Sequence, residues 1–180
     1  MGISINGIVT NEPENTAIEK LDRCFKLINP RMTIDKKEQI AFETIINRKR
    51  EPNIIDVYSD NKGTLMIFSY QLFEKFSTWE LSKLFNFDYF DVDETSMSHR
   101  FAQFRNGKDD ICMNIWDKGS SKKIAGDNYL DIEDGDDVFH HSFTKLTDSY
   151  LSVPFNSIEL NKKINRYCVT EKEVIQKKSK

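Results

Sequence analysis

The sequence SHRFAQFRNGKDDICMNIW, residues 98–116, contains two runs of β-favouring residues on either side of the dipeptide Asn106-Gly107. Asn-Gly is the dipeptide that most readily adopts positive φ at both central positions of a two-residue turn, and such a turn joins the strands of a β-hairpin. The runs 98–105 and 111–116 therefore predict an antiparallel strand pair. This hairpin indicates a fold built on an antiparallel sheet.

A second hairpin is predicted upstream of the first. The runs IIDVY (54–58) and TLMIFSY (64–70) are rich in β-branched and aromatic residues, and the turn residues DNKG (60–63) separate them. Isoleucines alternate with polar or small residues near the start of the chain, over 3–8, which predicts an opening strand. A further strand is predicted over 138–143.

Three capping signals predict helices. Thr16-Ala-Ile-Glu19 and Ser77-Thr-Trp-Glu80 have the pattern of a capping box, in which the first and fourth side chains satisfy free backbone amides at a helix start. Asp35-Lys-Lys-Glu38 is a looser version, followed by apolar residues up to Pro52, which disfavours continuation of a helix. A last helix is predicted over 157–167.

The composition favours one globular domain. The 180 residues include thirteen Phe, six Tyr and two Trp, whose large side chains can form a sizeable core. Only seven Gly and four Pro argue against linkers and repeats. We therefore predict a single α+β domain over residues 1–168, with a mainly antiparallel sheet and helices packed on one face. Residues 169–180 are predicted to form a basic, mobile C-terminal tail.

Several cellular settings are disfavoured by the sequence. No window approaches the roughly 18 consecutive apolar residues of a membrane-spanning helix, and the first residues lack the basic region of a secretory signal. The cysteines Cys24, Cys112 and Cys168 are odd in number and far apart, which is typical of free thiols in a reducing compartment. The pI of about 5.7 argues against a nucleic-acid partner. These features predict a cytoplasmic protein without a membrane or nucleic-acid partner.

An acidic middle segment is the most distinctive feature of the charge pattern. Between Asp88 and Asp137 there are thirteen acidic and six basic residues, a net of −7, whereas the rest of the chain is +4, which together give the overall −3. The stretch DNYLDIEDGDD (127–137) alone holds six carboxylates and no base. Such asymmetry indicates a partner of opposite charge. Mutual repulsion predicts that some of these six carboxylates have pKa values above the usual value of about 4.

A second part of this segment, FNFDYFDVDE (85–94), interleaves aromatic residues with acids. The mixture fits an interface in which a ring anchors and a carboxylate orients, and it fits equally a strand with one core face and one acidic face. The two patterns together predict a site for a basic protein partner. Its expected members are Tyr89, Asp91, Asp93, Asp127, Asp131, Glu133, Asp134, Asp136 and Asp137.

Neither a metal site nor a cofactor site is predicted. When Gly135 is aligned with the invariant glycine of an EF-hand, Leu130 and Ile132 fall at the first and third ligand positions and His141 replaces the bidentate Glu. The chain has no phosphate-binding loop, no H-E-x-x-H and no G-x-S-x-G. The sequence therefore predicts no catalytic residue by motif.

Two adjacent histidines keep one enzymatic alternative open. His140 and His141 could act with Asp136 and Asp137 in a metal-assisted hydrolase or a nucleotide-processing enzyme, because imidazole titrates near neutrality and ligates transition metals. Adjacent residues of a strand point to opposite faces, so we expect one histidine in the core and the other in solvent.

The stretches NKGTLMIFS (61–69) and RFAQFRNGKDDICMNIW (100–116), with the acidic run that follows them, resemble bacterial immunity proteins that neutralise toxins of contact-dependent or type VI secretion systems. The resemblance covers roughly residues 50–140 and rests on no diagnostic motif. It implies a non-enzymatic inhibitory protein. We expect the acidic side chains to meet Lys or Arg of the partner, raise the association rate and occlude its site.

Overall fold

The computed structural model describes residues 4–46, 51–75, 77–93, 95–96, 98–116, 121–125, 129–131 and 139–172, with the backbone alone for 46, 70, 73, 109–116, 121–125 and 139–140. These ranges contain nine strands in one sheet. They are β1 (Ser4–Thr10), β2 (Met32–Ala41), β3 (Ile54–Ser59), β4 (Thr64–Phe68), β5 (Phe87–Asp93), β6 (Ser98–Arg105), β7 (Lys108–Trp116), β8 (Ser121–Ala125) and β9 (Lys163–Glu171). Their order is β2-β9-β3-β4-β1-β5-β6-β7-β8, and every pairing is antiparallel.

Both predicted hairpins are confirmed. In the β6–β7 hairpin Asn106 and Gly107 have φ values of 51° and 80°, as a two-residue turn with positive φ requires. The strands pair directly, with a register shift between Gln103 and Phe104. The turn is held from outside, because the Gly107 amide donates to the Ser82 carbonyl at 3.1 Å.

Four α-helices and three short helical turns accompany the sheet in the described ranges. The helices are α1 (Glu14–Ile28), α2 (Tyr70–Phe73), α3 (Thr78–Ser82) and α4 (Thr144–Tyr150); the turns are Phe42–Ile46, Phe139–Phe143 and Phe155–Ser157. The cap predicted at Ser77 is confirmed, since its side chain accepts from the Glu80 amide. The capping box at Thr16 is wrong, because α1 begins two residues earlier at Glu14, directly after Pro13.

The helix predicted from Asp35 is wrong, because this segment is the edge strand β2. A β-bulge at Lys37 explains the misleading pattern. Lys36 and Glu38 pair with two consecutive residues of β9, so Lys37 is an extra residue in β2. One extra residue reverses which side chains face which side of the sheet. Ile34 therefore packs against one core cluster and Ile40 against the other. The sequence of β2 therefore lacks the alternation of apolar and polar residues that is expected of a strand.

The predictions for the last part of the chain also need correction. The helix predicted over 157–167 is wrong, because Phe155–Ser157 is a single helical turn and the chain then enters β9. β9 continues to Glu171 and Val169 is buried, so the predicted tail cannot begin at 169. The strand predicted over 138–143 is wrong for its described part, because Phe139–Phe143 is a π-helical turn that leads into α4.

The sheet carries a hydrophobic core on each face, and together they form a single α+β domain. One cluster packs α1, Leu72 of α2 and Leu81 of α3 on the sheet. The helices α1–α3 thus cover one face, as predicted. The opposite face is covered as well, by residues 42–46, α4 and residues 155–157. None of the helices in the described ranges is long and apolar enough to cross a membrane.

Candidate functional site

The acidic run after β8 is only partly described by the structure. Asp127, Glu133, Asp134, Asp136 and Asp137 lie outside the described residues, so their place in a partner-binding site stays a prediction. Asp131 is described, and it follows Leu130, whose side chain is 2% exposed within the core beneath α4. The acidic run is therefore fixed to the domain at Leu130.

Asp131 points away from this anchor. Its φ of 49° lies in the left-handed region, which Asp tolerates better than most residues, and its side chain is 75% exposed. The carboxylate accepts a hydrogen bond from the Lys145 ammonium of α4. Lys145 and, more weakly, the charge of His141 hold the pKa of Asp131 below its ordinary value. Its pKa shift is thus opposite in sign to the shift expected from crowded carboxylates.

The enzymatic alternative remains a prediction. His141 is exposed in the middle of the π-helical turn before α4, near enough to Asp131 to lower the pKa of that carboxyl. Asp136 and Asp137 lie outside the described residues, as does the side chain of His140. Within the part of the chain that the structure describes, no group of three or more His, Cys, Asp or Glu side chains is placed to hold a metal ion.

Tyr89 and Asp91 lie on β5, on the sheet face that α1–α3 cover. Tyr89 is 4% exposed and packs in that core, and its hydroxyl donates to the half-buried Asp91 carboxylate. Asp91 pairs in register with Arg100 of β6, whose guanidinium lies 5.7 Å from the Tyr89 ring centroid. Burial raises the pKa of Asp91, and the Arg100 charge opposes this shift. Tyr89 and Asp91, both predicted to contact a partner protein, therefore already interact with side chains within the fold.

Asp93 ends β5 and organises the turn that follows. Its carboxylate accepts from the Thr95 amide at 2.8 Å and from the Ser96 amide at 3.4 Å. Asp131 lies beside α4, on the opposite face of the sheet from Asp91. The structure therefore does not bring the two described parts of the predicted site together.

A buried polar cluster that the sequence did not reveal lies where β5, β6 and α4 meet. Asp88 is only 2% exposed, and its carboxylate accepts from the Arg105 guanidinium, from the Tyr150 hydroxyl and from Gln103 Nε2 at 3.3 Å. Arg105 Nη2 also donates to the Tyr150 hydroxyl oxygen at 2.9 Å. One sequence signal could have pointed to this cluster: Asp88 lies between Phe87 and Tyr89, which indicates a buried strand. A buried carboxylate needs a cationic partner.

The cluster forms the back of an open cleft of about 390 Å³. The cleft is lined by Thr10, Asn11, Glu12, Asn86, Arg105 and Tyr150. At its rim Glu12 pairs with Lys20 of α1 at 2.6 Å, and Thr10 Oγ1 donates to the Asn86 carbonyl at 2.9 Å. Burial raises the pKa of Asp88 above its ordinary value, against the opposing effect of Arg105, and it raises the pKa of Tyr150 as well.

A cleft next to a buried group with a shifted pKa is a place where proteins bind ligands. The structure thus presents two candidate sites: the acidic run that begins at Asp131, and the cleft lined by Arg105 and Tyr150. Comparison with known proteins indicates no further candidate site, because no family model, no curated protein and no solved structure matches the chain.

Proposed function

We propose that this protein is a cytoplasmic, non-enzymatic inhibitor that binds a basic protein partner through the acidic run 127–137. Its mode of action is steric and electrostatic: carboxylates meet Lys or Arg side chains of the partner and cover its working surface. A toxin is the kind of partner that the resemblance to immunity proteins suggests. If that toxin is a nuclease, the carboxylates take the place of substrate phosphates.

The observation that carries the proposal is the exposure of Asp131 directly after a buried anchor. Leu130 is packed in the core and Phe143, after the run, is fully buried between Phe90 and Phe155. An acidic run fixed at both ends loses less conformational freedom on binding than a free tail would. It therefore favours a defined interface.

The charge of the segment supports the same function. The run 127–137 holds six carboxylates and no base within eleven residues, which gives this stretch of the chain a strongly negative field. Such a field raises the rate of association with a basic protein and is screened by salt. Lys145 neutralises only part of it, because the ion pair with Asp131 is exposed and such pairs are weak.

The proposal is tested by exchanging five carboxylates for neutral isosteres: Asp131, Asp134, Asp136 and Asp137 to Asn and Glu133 to Gln. The matched control changes five exposed glutamates elsewhere to Gln: Glu19, Glu38, Glu43, Glu74 and Glu159. Both variants gain the same five units of charge. We expect the wild type and the control to co-purify with the same basic protein, and the first variant to lose it.

The readout is quantitative mass spectrometry of proteins retained from a lysate of the cells that encode the chain. Equal loss in both variants would mean that overall charge, and not the acidic run, governs the association. Retention by both would refute the proposal.

A further inference from the structure

The guanidinium of Arg105 lines the cleft next to Glu12, and only some of its N–H donors have hydrogen-bond partners within the fold. Arg105 Nη1 donates to the carbonyl oxygens of Phe87 at 2.7 Å and Phe104 at 3.0 Å, and Nη2 donates to Asp88 and Tyr150. The Nε–H group donates to no residue in the described ranges. Since the Arg105 side chain is 25% exposed and lines the cleft, one donor of this partly buried cation remains for a ligand.

Asp88 supplies the negative charge that Arg105 needs. It reaches the guanidinium from the buried side, whereas the cleft lies on the open side. Protonation of Asp88 would leave the guanidinium without a counter-charge next to an open cavity. The other charged groups at the cleft are Glu12 and Lys20, which neutralise each other across 2.6 Å, and the Tyr150 hydroxyl is uncharged.

We propose that this cleft binds a small oxyanion through Arg105 and Tyr150, and that the bound anion replaces the negative charge of Asp88 as that carboxylate takes up a proton. The acceptor oxygens of a sulfate, phosphate or carboxylate group suit the Arg105 Nε–H. They also suit the Tyr150 hydroxyl, because protonation of Asp88 frees the single proton that this hydroxyl otherwise donates to the carboxylate. The amides of Asn11 and Asn86 supply further donors on the lining. This site is independent of the acidic run and of any protein partner.

The electrostatics of Asp88 give the expected sign of the pH dependence. Burial already makes the protonated form easier to reach than in an exposed Asp, because it raises the pKa. An anion beside Arg105 favours protonated Asp88 further, and by linkage protonation of Asp88 favours the anion. Affinity for the anion should therefore fall as pH rises, by at most about tenfold per pH unit, between the Asp88 pKa of the free protein and its higher pKa in the complex.

The experiment is a titration with sulfate, whose charge is constant over the range used, at pH 5 and pH 8 and at ionic strength held constant with sodium chloride. Binding is followed by the NMR shifts of the amides around Thr10 and Asn86. The wild type should bind more tightly at pH 5. Asp88→Asn, a neutral isostere, should bind at both pH values with the same affinity. Tyr150→Phe should bind roughly fivefold more weakly and keep the pH dependence, because one hydrogen bond is lost.

The matched control is Asp91→Asn, which alters a half-buried carboxylate of β5 on the opposite face of the sheet from the cleft. It should bind sulfate as the wild type does. Absence of binding to the wild type at pH 5 would overturn the proposal, as would equal affinity at the two pH values. If Asp88→Asn fails to fold, the carboxyl carbon shift of Asp88 in the wild type decides: sulfate must raise its pKa, and an unchanged pKa refutes the coupling.

Discussion

The thiol of Cys24 lies between α1 and α3, fully buried, and donates to the carbonyl oxygen of Ser77 at 3.8 Å. Burial is the main reason why its pKa is raised to about 11, and the charge of Glu80 adds to the effect. The thiolate, not the thiol, is the nucleophile. The environment of this side chain therefore makes it a structural thiol.

We expect Cys24 to resist alkylation by iodoacetamide at pH 8 in the native protein. A pKa of about 11 leaves only about one thiolate in a thousand at that pH, and the side chain has no exposed surface. In a Cys112→Ser background, mass spectrometry should find the half-buried Cys168 labelled first. Both thiols should react in guanidinium chloride. Labelling of native Cys24 as fast as Cys168 would contradict the burial of the Cys24 thiol between α1 and α3.

At the scale of elements, β2 owes its position to pairing with β9 and to the bulge at Lys37. The bulge lets Ile34 contact the core on one face and Ile40 the core on the other. A one-residue change in such a strand moves every side chain beyond it to the opposite face.

Deletion of Lys37 should therefore destabilise the domain, because one of the two isoleucines must leave its core. Each is partly buried, so we expect a loss of about 1–2 kcal/mol in the free energy of unfolding, measured by urea denaturation. The control Lys37→Ala removes only an exposed ion pair with Glu51, and because such pairs contribute little it should unfold at nearly the same urea concentration as the wild type. A deletion as stable as the control would refute the role of the bulge.

The elements differ in how far the sequence predicts them, and the reason is the range of the interactions involved. The β6–β7 hairpin and the cap at Ser77 depend on neighbouring residues, so local patterns suffice for both. β2 and β9 pair across more than 120 residues, and this pairing overrides the helical pattern at Asp35. Long-range pairing leaves no local signal.

The same distinction separates the two candidate sites. The acidic run is a feature of local composition, so it can be recognised from the sequence alone. The cluster of Asp88, Arg105 and Tyr150 depends on α4 folding back over the sheet, and Arg105 and Tyr150 are 45 residues apart. A sequence can show that a buried acid needs a cation, but the topology decides which cation it meets.

At the scale of the whole molecule, one sheet separates two surfaces with different chemistry. Asp91 and Tyr89 face α1–α3 and are occupied with partners inside the fold, whereas Asp131 lies on the α4 side and is exposed. We propose that the acidic run to which Asp131 belongs attracts a basic partner. Electrostatic attraction of this kind acts chiefly on the association rate.

The most direct test is the association rate constant of the co-purified partner, measured by stopped flow at ionic strengths between about 0.05 and 0.5 M. We expect a steep fall with salt for the wild type and for the five-glutamate control, and a lower, nearly salt-independent rate for the variant neutralised at 131, 133, 134, 136 and 137. Equal salt dependence in all three proteins would contradict the proposal.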